Sequence, residues 1–464
     1  MDRPLRNLLL VFAGLFLALI VNLTYVQVYA APRLETSPSN TRGIQEQMRV
    51  ERGLILSADG VELAGNRQVG DLYRRTYPLG DLVEPVLGYN DLRYGRAGLE
   101  RLYNPELSGD SPLLGIRSAL DQALGRPKRG ADVVLTLDIK VQRAAVEALD
   151  GHKGAIVVID PKTGAIIALA SSPRYDPSQL GAQWKALNAD PDRPLLNRPT
   201  QGLYPPGSAF KPVVAAKGLA TGAVAPDTSF DDSGAYRAGG YVVRNYGDKA
   251  YGHHTFAEAM AQSINTTFAK LGVQLGGASV AESARAFGFD RDLPGRLSAA
   301  RSRFPDPAKM DTAHVAQASF GQGEVLATPL EMALVASGIA NGGKIMAPFL
   351  VSEVRDYQQT VLQKTQPREW LQAADPATAA TVRDLMVGVV TEGTGKKAAI
   401  DGVQVAGKTG TAELDKGEPH AWFIGFAPAD DPRVAVAVIV ENGGTGGSVA
   451  APMAAQVMRA ALQR

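Results

Sequence analysis

The sequence predicts an α+β protein in which one mainly antiparallel sheet of about five strands is flanked by helices. An N-terminal membrane helix and a small mixed domain precede this layered domain. Three observations support the prediction: an uncharged apolar run over residues 8–31, β-branched apolar runs after residue 154 and again near the C-terminus, and helical patterns between those runs.

Bulk composition excludes several classes of function. The chain has 464 residues and a formal net charge of +1, without a basic stripe interleaved with aromatics, so nucleic acid is not an expected ligand. The absence of cysteine rules out disulfides and thiol catalysis. None of the five histidines forms an H-E-x-x-H pair, so we expect neither a metal site nor a cofactor.

Residues 8–31 are long enough to cross a hydrocarbon core of ~30 Å. Arg3 and Arg6 precede the run, so we expect residues 1–7 to lie in the cytoplasm and the chain after residue 31 to lie outside it. The alternative is a signal peptide cleaved after 28–30. The apolar run exceeds the usual signal core of roughly 7–15 residues, which favours a retained single-pass anchor.

Residues 32–150 are turn-rich and carry no catalytic constellation, so we interpret them as a small mixed support module, or pedestal. The stretch ERGLILSADGVELAGN predicts two short strands around the turn 58–60. A strand over 133–137 and a helix N-capped by Asp138 are predicted at the end of the module.

Residues 151–464 are predicted to form the layered domain. Residues 154–172 have the pattern of a hairpin turning at 160–164. Further strands are predicted within 403–413, 421–428 and 433–440, and a last helix closes the chain. Between the two groups of strands, apolar spacing predicts helices at 208–221, 255–272, 329–341 and 376–391.

Ser208-Ala209-Phe210-Lys211 is the one Ser-x-x-Lys of the chain. The preceding Pro-Pro-Gly places Ser208 at a helix start, and Lys211 then lies one turn later on the same face. Serine becomes a nucleophile when a base takes its proton, and a lysine whose pKa is lowered by burial and a nearby cation can be that base. The alternative is a capping serine beside a solvated lysine.

Ser263-Ile264-Asn265 is the one Ser-x-Asn. At a loop or helix end facing a cleft, Ser263 can relay a proton and Asn265 can hold a substrate amide and Lys211. The alternative is two polar residues on a helix surface. A third short motif, Lys-Thr-Gly, follows at residues 408–410. The occurrence of Ser-x-x-Lys, Ser-x-Asn and Lys-Thr-Gly in this order is improbable by chance.

The stretch DGVQVAGKTGTAE, residues 401–413, matches two different motifs. The letters from Gly402 to Thr409 fit the phosphate-binding loop of nucleotide hydrolases, whereas Lys408-Thr409-Gly410 is a mark of serine enzymes acylated by penicillin. A phosphate loop needs a buried strand before it and a helix after it. Neither pattern is present, and residues 403–406 alternate as in a strand, so the second interpretation is favoured.

With these motifs the chain resembles the class B penicillin-binding proteins, the membrane-anchored transpeptidases of peptidoglycan synthesis. PLLNRPTQGLYPPGSAFKP resembles the family's segment around its nucleophile, although Ala209 stands where threonine is common. GLERLYNPELSGD resembles a pedestal motif of the family. The length leaves no room for a glycosyltransferase domain, so class A is not expected. The compact pedestal is similar to that of the penicillin-binding protein A type of actinobacteria, which implies a role in cell division.

The resemblance implies roles for four catalytic residues. Ser208 is implied as the acylated nucleophile and Lys211 as its base. Ser263 is implied to pass the proton to the leaving D-alanine, and Asn265 to position the stem peptide.

The resemblance also implies a substrate-binding strand. Lys408, Thr409 and Thr411 are implied to bind the terminal carboxylate, with Gly410 between them in the motif. Backbone amides of Ser208 and Thr411 are implied to form the oxyanion hole.

Implied partners are D-Ala-D-Ala stem peptides, β-lactams, a membrane glycosyltransferase of the SEDS family and other division proteins. The implied location is the cell membrane, with the catalytic domain outside the cytoplasm. A serine D,D-carboxypeptidase or a β-lactamase shares the motifs and stays an alternative, although no Glu-x-x-Leu-Asn lies between Ser263 and Lys408. A non-catalytic scaffold or sensor that binds β-lactam or peptidoglycan is the non-enzyme alternative.

Overall fold

A computed structural model describes residues 3–30, 48–115, 124–125, 128–414 and 416–463. Helix α1 spans Arg3–Thr24 and continues as a π-helical segment, Tyr25–Ala30. The apolar segment Arg3–Gln27 has a mean hydropathy of 2.4 and packs against none of the described protein. An N-terminal apolar helix long enough to span a membrane is thus confirmed. Ala31, the predicted end of the anchor, and residues 32–47 of the pedestal lie outside the described residues.

The pedestal consists of short elements. Its strands are β1 Ile55–Leu56, β2 Glu62–Val69, β3 Leu72–Thr76, β4 Asn90–Asp91, β5 Gly95–Arg96 and β6 Asp132–Leu135. Its helices are α2 Glu84–Leu87, α3 Gly98–Leu102, α4 Asn104–Leu107 and α5 Ile139–Ala148. The predicted strand pair around 58–60 is confirmed as β1 and β2. Asp138 caps α5, its carboxylate accepting hydrogen bonds from the amides of Lys140 and Val141.

The strands after residue 150 continue the numbering. They are β7 Gly154–Ile159, β8 Ile166–Ser172, β9 Ser229–Asp232, β10 Ala235–Ala238, β11 Tyr241–Arg244, β12 Gly252–Thr255, β13 Lys344–Met346, β14 Val351–Arg355, β15 Val361–Lys364, β16 Glu369–Gln372, β17 Ala406–Ala412, β18 His420–Ala427 and β19 Val434–Val440.

The helices after residue 150 lie mostly in the middle of the chain. They are α6 Leu180–Ala189, α7 Arg198–Gln201, α8 Lys211–Ala220, α9 Phe256–Ala261, α10 Asn265–Leu275, α11 Gly277–Ala286, α12 Thr312–Ala318, α13 Pro329–Ala340, α14 Pro376–Thr391 and α15 Ala450–Leu462. The 3₁₀ segments include Gly80–Leu82, Pro112–Leu114, Pro177–Gln179, Gly207–Phe210, Pro307–Lys309 and Lys396–Ala398.

The central sheet has five strands in the order β17-β18-β19-β7-β8, and every neighbouring pair is antiparallel. All residues of β7, β18 and β19 are buried. Because successive side chains of a strand point to opposite faces, helices must cover both faces. The contacting helices include α5, α13 and α15. The predicted sheet is therefore confirmed, and β17 and β8 are its two edge strands.

The predicted helices 329–341 and 376–391 are confirmed as α13 and α14. The single helix predicted over 255–272 is wrong, because the chain forms α9, a break and then α10. The break is at Ser263, whose φ of +61° lies in the left-handed region that a right-handed helix excludes. The apolar spacing continues through the break since Ile264 is also buried.

The pedestal sheet crosses the predicted domain boundary between residues 150 and 151. Its strand order is β15-β14-β6-β1-β2-β3, so two strands that follow residue 350 complete it. Strand β14 pairs antiparallel with β6, and β1 pairs parallel with β6 on the other side. The pedestal is therefore built from two distant parts of the chain.

The GLERL stretch of the pedestal motif carries a buried charge cluster. The Glu100 carboxylate accepts from Arg52 Nε at 2.8 Å and from Arg75 Nε at 2.5 Å. Burial opposes ionisation of Glu100, but the two guanidinium groups outweigh it and hold its pKa below the ordinary value. This cluster joins α3 to β3 and to the segment that precedes β1.

Glu331, in the first turn of α13, provides a test of buried charge. Its Oε1 is buried without a hydrogen-bond partner among the described residues, and burial raises the pKa of Glu331 to about 8. The folded state therefore holds a proton that the unfolded chain releases near pH 4.5, so stability falls as pH rises between those two values. We expect Glu331→Gln to be about 1–3 kcal/mol more stable than the wild type at pH 8 and nearly equal at pH 5.

Chemical denaturation of the full chain at both pH values measures this effect. The matched control is Glu147→Gln, which changes an exposed carboxylate on α5. A Glu331→Gln protein that loses stability with pH as steeply as the wild type would contradict the assignment.

Candidate active site

The predicted nucleophile lies in a turn at the start of α8. Residues Gly207–Phe210 form a 3₁₀ turn that continues directly into the helix. Gly207 has a φ of +52° and donates its amide to the Gly321 carbonyl at 2.9 Å. The indole Nε1 of Trp422 on β18 donates to the Pro205 carbonyl at 3.0 Å. The turn is therefore held from both sides, with Ser208 at its predicted place.

Lys211 is fully buried. Its Nζ lies 2.7 Å from the Ser263 carbonyl, 3.1 Å from Ser263 Oγ and 2.8 Å from Asn265 Oδ1. Burial, followed by the positive charge of Lys408, lowers the pKa of Lys211 well below its ordinary value. The solvated lysine of the alternative interpretation is excluded, since the side chain is inside the protein and bound to the Ser-x-Asn motif.

Ser263 joins two buried lysines. Lys408 Nζ donates to Ser263 Oγ at 2.8 Å and to the Thr409 carbonyl at 3.0 Å. Burial lowers the pKa of Lys408 to about 7. One serine hydroxyl thus lies within hydrogen-bonding distance of both amines, which gives a continuous path for a proton from Lys408 through Ser263 to Lys211.

The stretch 401–413 contains the strand β17 and not a phosphate loop. Residues Ala406–Ala412 pair with β18 in register, from Ala406 opposite Phe426 to Ala412 opposite His420. A Cβ on Gly407 would lie 2.3 Å from the Phe423 ring, so this glycine serves packing against β18. No helix begins within the described residues 409–414, which a phosphate loop requires. The nucleotide interpretation is therefore wrong.

Gly410 allows β17 to approach the turn Gly207–Phe210, which contains Ser208. A Cβ at this position would lie 2.8 Å from the Pro206 carbonyl oxygen and 3.1 Å from the Ala209 nitrogen, both backbone atoms. The side of the strand facing the turn borders a cavity of about 290 Å³, whose lining includes Ser208, Asn265 and Thr411. Three motifs that lie far apart in sequence therefore meet at one opening.

Thr394 is a site residue that the sequence analysis missed. Its Oγ1 lies 2.6 Å from Thr409 Oγ1, and its amide donates to the Ala261 carbonyl at 3.1 Å. A Cβ on Gly393 would lie 2.1 Å from that same carbonyl oxygen, so the loop after α14 fits closely on the end of α9. Threonine is common in loops, and the sequence gives no sign that this one reaches β17.

Asp232 is a second missed residue. Its buried carboxylate accepts from Asn245 Nδ2 at 2.7 Å, from Thr266 Oγ1 at 2.7 Å and from the Tyr251 amide at 2.9 Å. Burial opposes ionisation, but these hydrogen bonds outweigh it and hold the pKa of Asp232 below its ordinary value. The wall of the cavity around Asn245 is thereby fixed to the first turn of α10.

The same wall orients the amide of the Ser-x-Asn motif. Asn265 Nδ2 donates to the Arg244 carbonyl at 3.1 Å, while its Oδ1 accepts from Lys211.

Of the eight predicted site residues, seven line the cavity or contact the two buried lysines: Ser208, Lys211, Ser263, Asn265, Lys408, Thr411 and, through its carbonyl, Thr409. The eighth, Gly410, contributes no side chain but lets the backbone of β17 lie close to the backbone of Pro206 and Ala209.

Two family models match the chain. Residues 154–459 match the penicillin-binding protein transpeptidase domain. Residues 52–133 match the penicillin-binding protein A dimerisation domain. The first match covers the lysine pair and the cavity, and the second covers most of the described pedestal.

Individual relatives agree with these matches. The chain is 38% identical to the peptidoglycan D,D-transpeptidase PbpA of Mycolicibacterium smegmatis, over 100% of this chain and 99% of the relative. Its structure is similar to penicillin-binding protein A from M. tuberculosis in a ceftriaxone acyl-enzyme complex, with a TM-score of 0.86 and 37% identity over 90% of this chain and 100% of that one. A D,D-transpeptidase domain from Eggerthella lenta gives a TM-score of 0.83 and 39% identity, covering 89% and 99%. The resemblance inferred from the three motifs is confirmed, and the chain belongs to the penicillin-binding protein transpeptidases, in the group that contains penicillin-binding protein A.

Proposed function

We propose that this enzyme cross-links peptidoglycan stem peptides through an acyl-enzyme on Ser208 and that β-lactams inhibit it by acylating the same oxygen. The observation that carries the proposal is the fully buried Lys211 amine, bound to Ser263 and Asn265 beside the cavity that contains Ser208. A lysine in this environment favours the neutral form, which is the form that accepts a proton.

Acylation needs one proton to leave Ser208 and one to reach the leaving group. Ser208 Oγ attacks the carbonyl carbon of the penultimate D-alanine, and its proton passes to Lys211. As the peptide C–N bond breaks, Ser263 donates a proton to the nitrogen of the departing D-alanine and is reprotonated from a lysine. The Lys408–Ser263–Lys211 arrangement supports the reprotonation of Ser263, since its hydroxyl is hydrogen-bonded to both lysine amines.

The second step returns the enzyme to its starting state. An amine of a neighbouring stem peptide attacks the acyl carbon, the bond from that carbon to Ser208 Oγ breaks, and the oxygen regains a proton while the amine loses one. Asn265 is proposed to orient the donor amide in both steps, which its hydrogen bonds to the Arg244 carbonyl and Lys211 support.

Substrate binding follows β17. Lys408, Thr409 and Thr411 are proposed to bind the terminal carboxylate, and the backbone amides of Ser208 and Thr411 to form the oxyanion hole. Loss of one such amide donor typically costs about 3–4 kcal/mol of transition-state stabilisation. Thr394 is added to this set, because its hydroxyl fixes the orientation of the Thr409 hydroxyl.

The cellular setting is inferred from the helix and the relatives. The apolar helix supports a single-pass anchor, with Arg3 and Arg6 on the cytoplasmic side and the catalytic domain outside. The pedestal match to penicillin-binding protein A supports a role in septal wall synthesis beside a SEDS glycosyltransferase and other division proteins. The acyl-enzyme structures of the M. tuberculosis protein with ceftriaxone and penicillin G support β-lactam inhibition.

The nucleophile is tested by covalent labelling of the full chain in detergent. We expect one equivalent of penicillin to add to the wild type, as measured by intact mass, and none to add to Ser208→Ala. Ser178→Ala, an exposed serine, is the control and should label fully. A folded wild-type protein without an adduct would overturn the proposal, and many turnovers of a chromogenic cephalosporin would indicate a β-lactamase instead.

The approach of β17 to the nucleophile turn is tested at Gly410. We expect Gly410→Ala to lower the second-order rate constant of penicillin acylation at least about 100-fold, because a displacement of the strand misplaces the reacting groups. Gly388→Ala is the control, since a Cβ there meets no atom within 4 Å and the residue lies in α14. Acylation of Gly410→Ala at the wild-type rate would refute the steric argument.

The role of Thr394 is tested by removing its hydroxyl while keeping its shape. We expect Thr394→Val to raise the KM for a D-Ala-D-Ala peptide about fivefold, the equivalent of one hydrogen bond, with kcat changed less. Thr394→Ser should restore the wild-type KM, and Thr391→Val, on an exposed turn of α14, should have no effect. An equal rise in KM for Thr394→Val and Thr394→Ser would point to packing rather than to the hydroxyl.

A further inference from the structure

The cavity that contains Ser208 continues beyond the reacting groups to a second charged wall. Past Thr411 its lining includes Glu413, which directly follows β17, together with Arg244 at the end of β11 and Asp248 in the 3₁₀ turn after it. Arg244 Nη1 lies 3.4 Å from Asp248 Oδ1, so these two charges compensate each other. Among the described residues, none forms an ion pair or hydrogen bond with the Glu413 carboxylate. This end of the cavity therefore has an uncompensated negative charge.

Charged groups of opposite sign lie at the two ends of a row of residues that follows β17. Thr409 and Thr411 lie two residues apart on β17, so their side chains fall on the same face of the strand, and Glu413 follows at the same spacing directly after the strand ends. Thr409 and Glu413 are then about 13 Å apart at 3.3 Å per residue. The buried Lys408 amine lies at one end of this row and the free Glu413 carboxylate at the other.

A donor peptide lying along this edge strand has a fixed direction. Its terminal carboxylate lies at Lys408 and its reacting carbonyl near Ser208 and Thr411, so the residues that precede the scissile bond extend toward Glu413. Two extended peptide residues span about 7 Å of the distance between Thr409 and Glu413, and a long side chain spans the rest. The residue immediately before the D-alanine pair is therefore the one whose side chain reaches Glu413.

We propose that Glu413 is a specificity residue that binds a cationic side chain on the donor residue preceding D-Ala-D-Ala. The chemical class is a free side-chain amine, as in a diamino acid. The inference rests on the proposed transpeptidase function and deepens it. The other charged wall is preorganised, since the Asp232 carboxylate holds Asn245, the residue that joins Arg244 to the turn containing Asp248.

Two peptides and one substitution test the proposal in the full chain. The donors are Nα-acetyl-L-Lys-D-Ala-D-Ala and the same peptide with its side-chain amine acetylated, and kcat/KM is measured as release of D-alanine. We expect the wild type to prefer the free amine about fivefold at low salt, the range of an exposed ion pair, and Glu413→Gln to remove the preference. The preference should also fall in 0.5 M salt for the wild type only.

Control measurements separate this inference from the general function. Penicillin G has no cation at the corresponding position, so its acylation rate should be the same in Glu413→Gln and the wild type. Glu418→Gln, which removes an exposed carboxylate from the neighbouring loop, should keep the full preference. A preference that persists in Glu413→Gln, or that both variants lose equally, would overturn the inference. Loss of penicillin acylation in every protein would instead overturn the transpeptidase proposal.

Discussion

The active site depends on the burial of two lysines around one serine hydroxyl. Lys211 and Lys408 are both fully buried, and both amines lie within 3.1 Å of Ser263 Oγ. Two ammonium groups so close together in a dry site repel each other and each loses its hydration, so the second proton is bound weakly. The pair therefore behaves as a shared reservoir for one proton. The aromatic ring of Phe268, 5.2 Å from Lys211 Nζ, adds a weak attraction for the charge that remains.

Unusual backbone geometry is needed to bring these groups together. Ser263 adopts a φ of +61°, which turns its side chain and carbonyl toward Lys211 instead of continuing α9. Gly207, with a φ of +52°, turns the chain into α8, and Gly410 lets β17 approach that turn. A non-glycine residue in the left-handed region costs about 1–3 kcal/mol and persists where its surroundings determine it. At Ser263 the surroundings include three hydrogen bonds from two lysines and the buried Ile264.

The sequence predicted those features that depend on local pattern. The helix over 376–391, the hairpin over 154–172 and the five-stranded antiparallel sheet follow from periodicity and turn residues, and all three are confirmed. The break at Ser263 was not predicted, because apolar spacing continues across it. Asp232 and Thr394 were not predicted either, since each acts through partners distant in sequence: Thr266 for the first and Thr409 for the second. The match of 402–409 to a phosphate loop is a local pattern that misleads, because pairing with β18 makes its second half, from Ala406 onward, part of a strand.

The pedestal and the catalytic part are joined too closely to be independent structural units. Strand β6 is paired on one side by β1 and on the other by β14, so the pedestal sheet requires residues that follow α13. The Thr136 hydroxyl donates to the Ile166 carbonyl at 2.7 Å, and the Asp138 amide donates to the Ile167 carbonyl at 2.9 Å, which fastens the end of β6 to β8 of the central sheet. Farther away, Arg296 pairs with the nearly buried Glu106 of α4 at 2.7 Å. Removing the pedestal would leave β14 as an uncovered edge beside the catalytic part, and unpaired edges of this kind promote association with other chains. The interleaved strands therefore fix the orientation of the catalytic cavity relative to the pedestal from which the chain leads to its apolar helix.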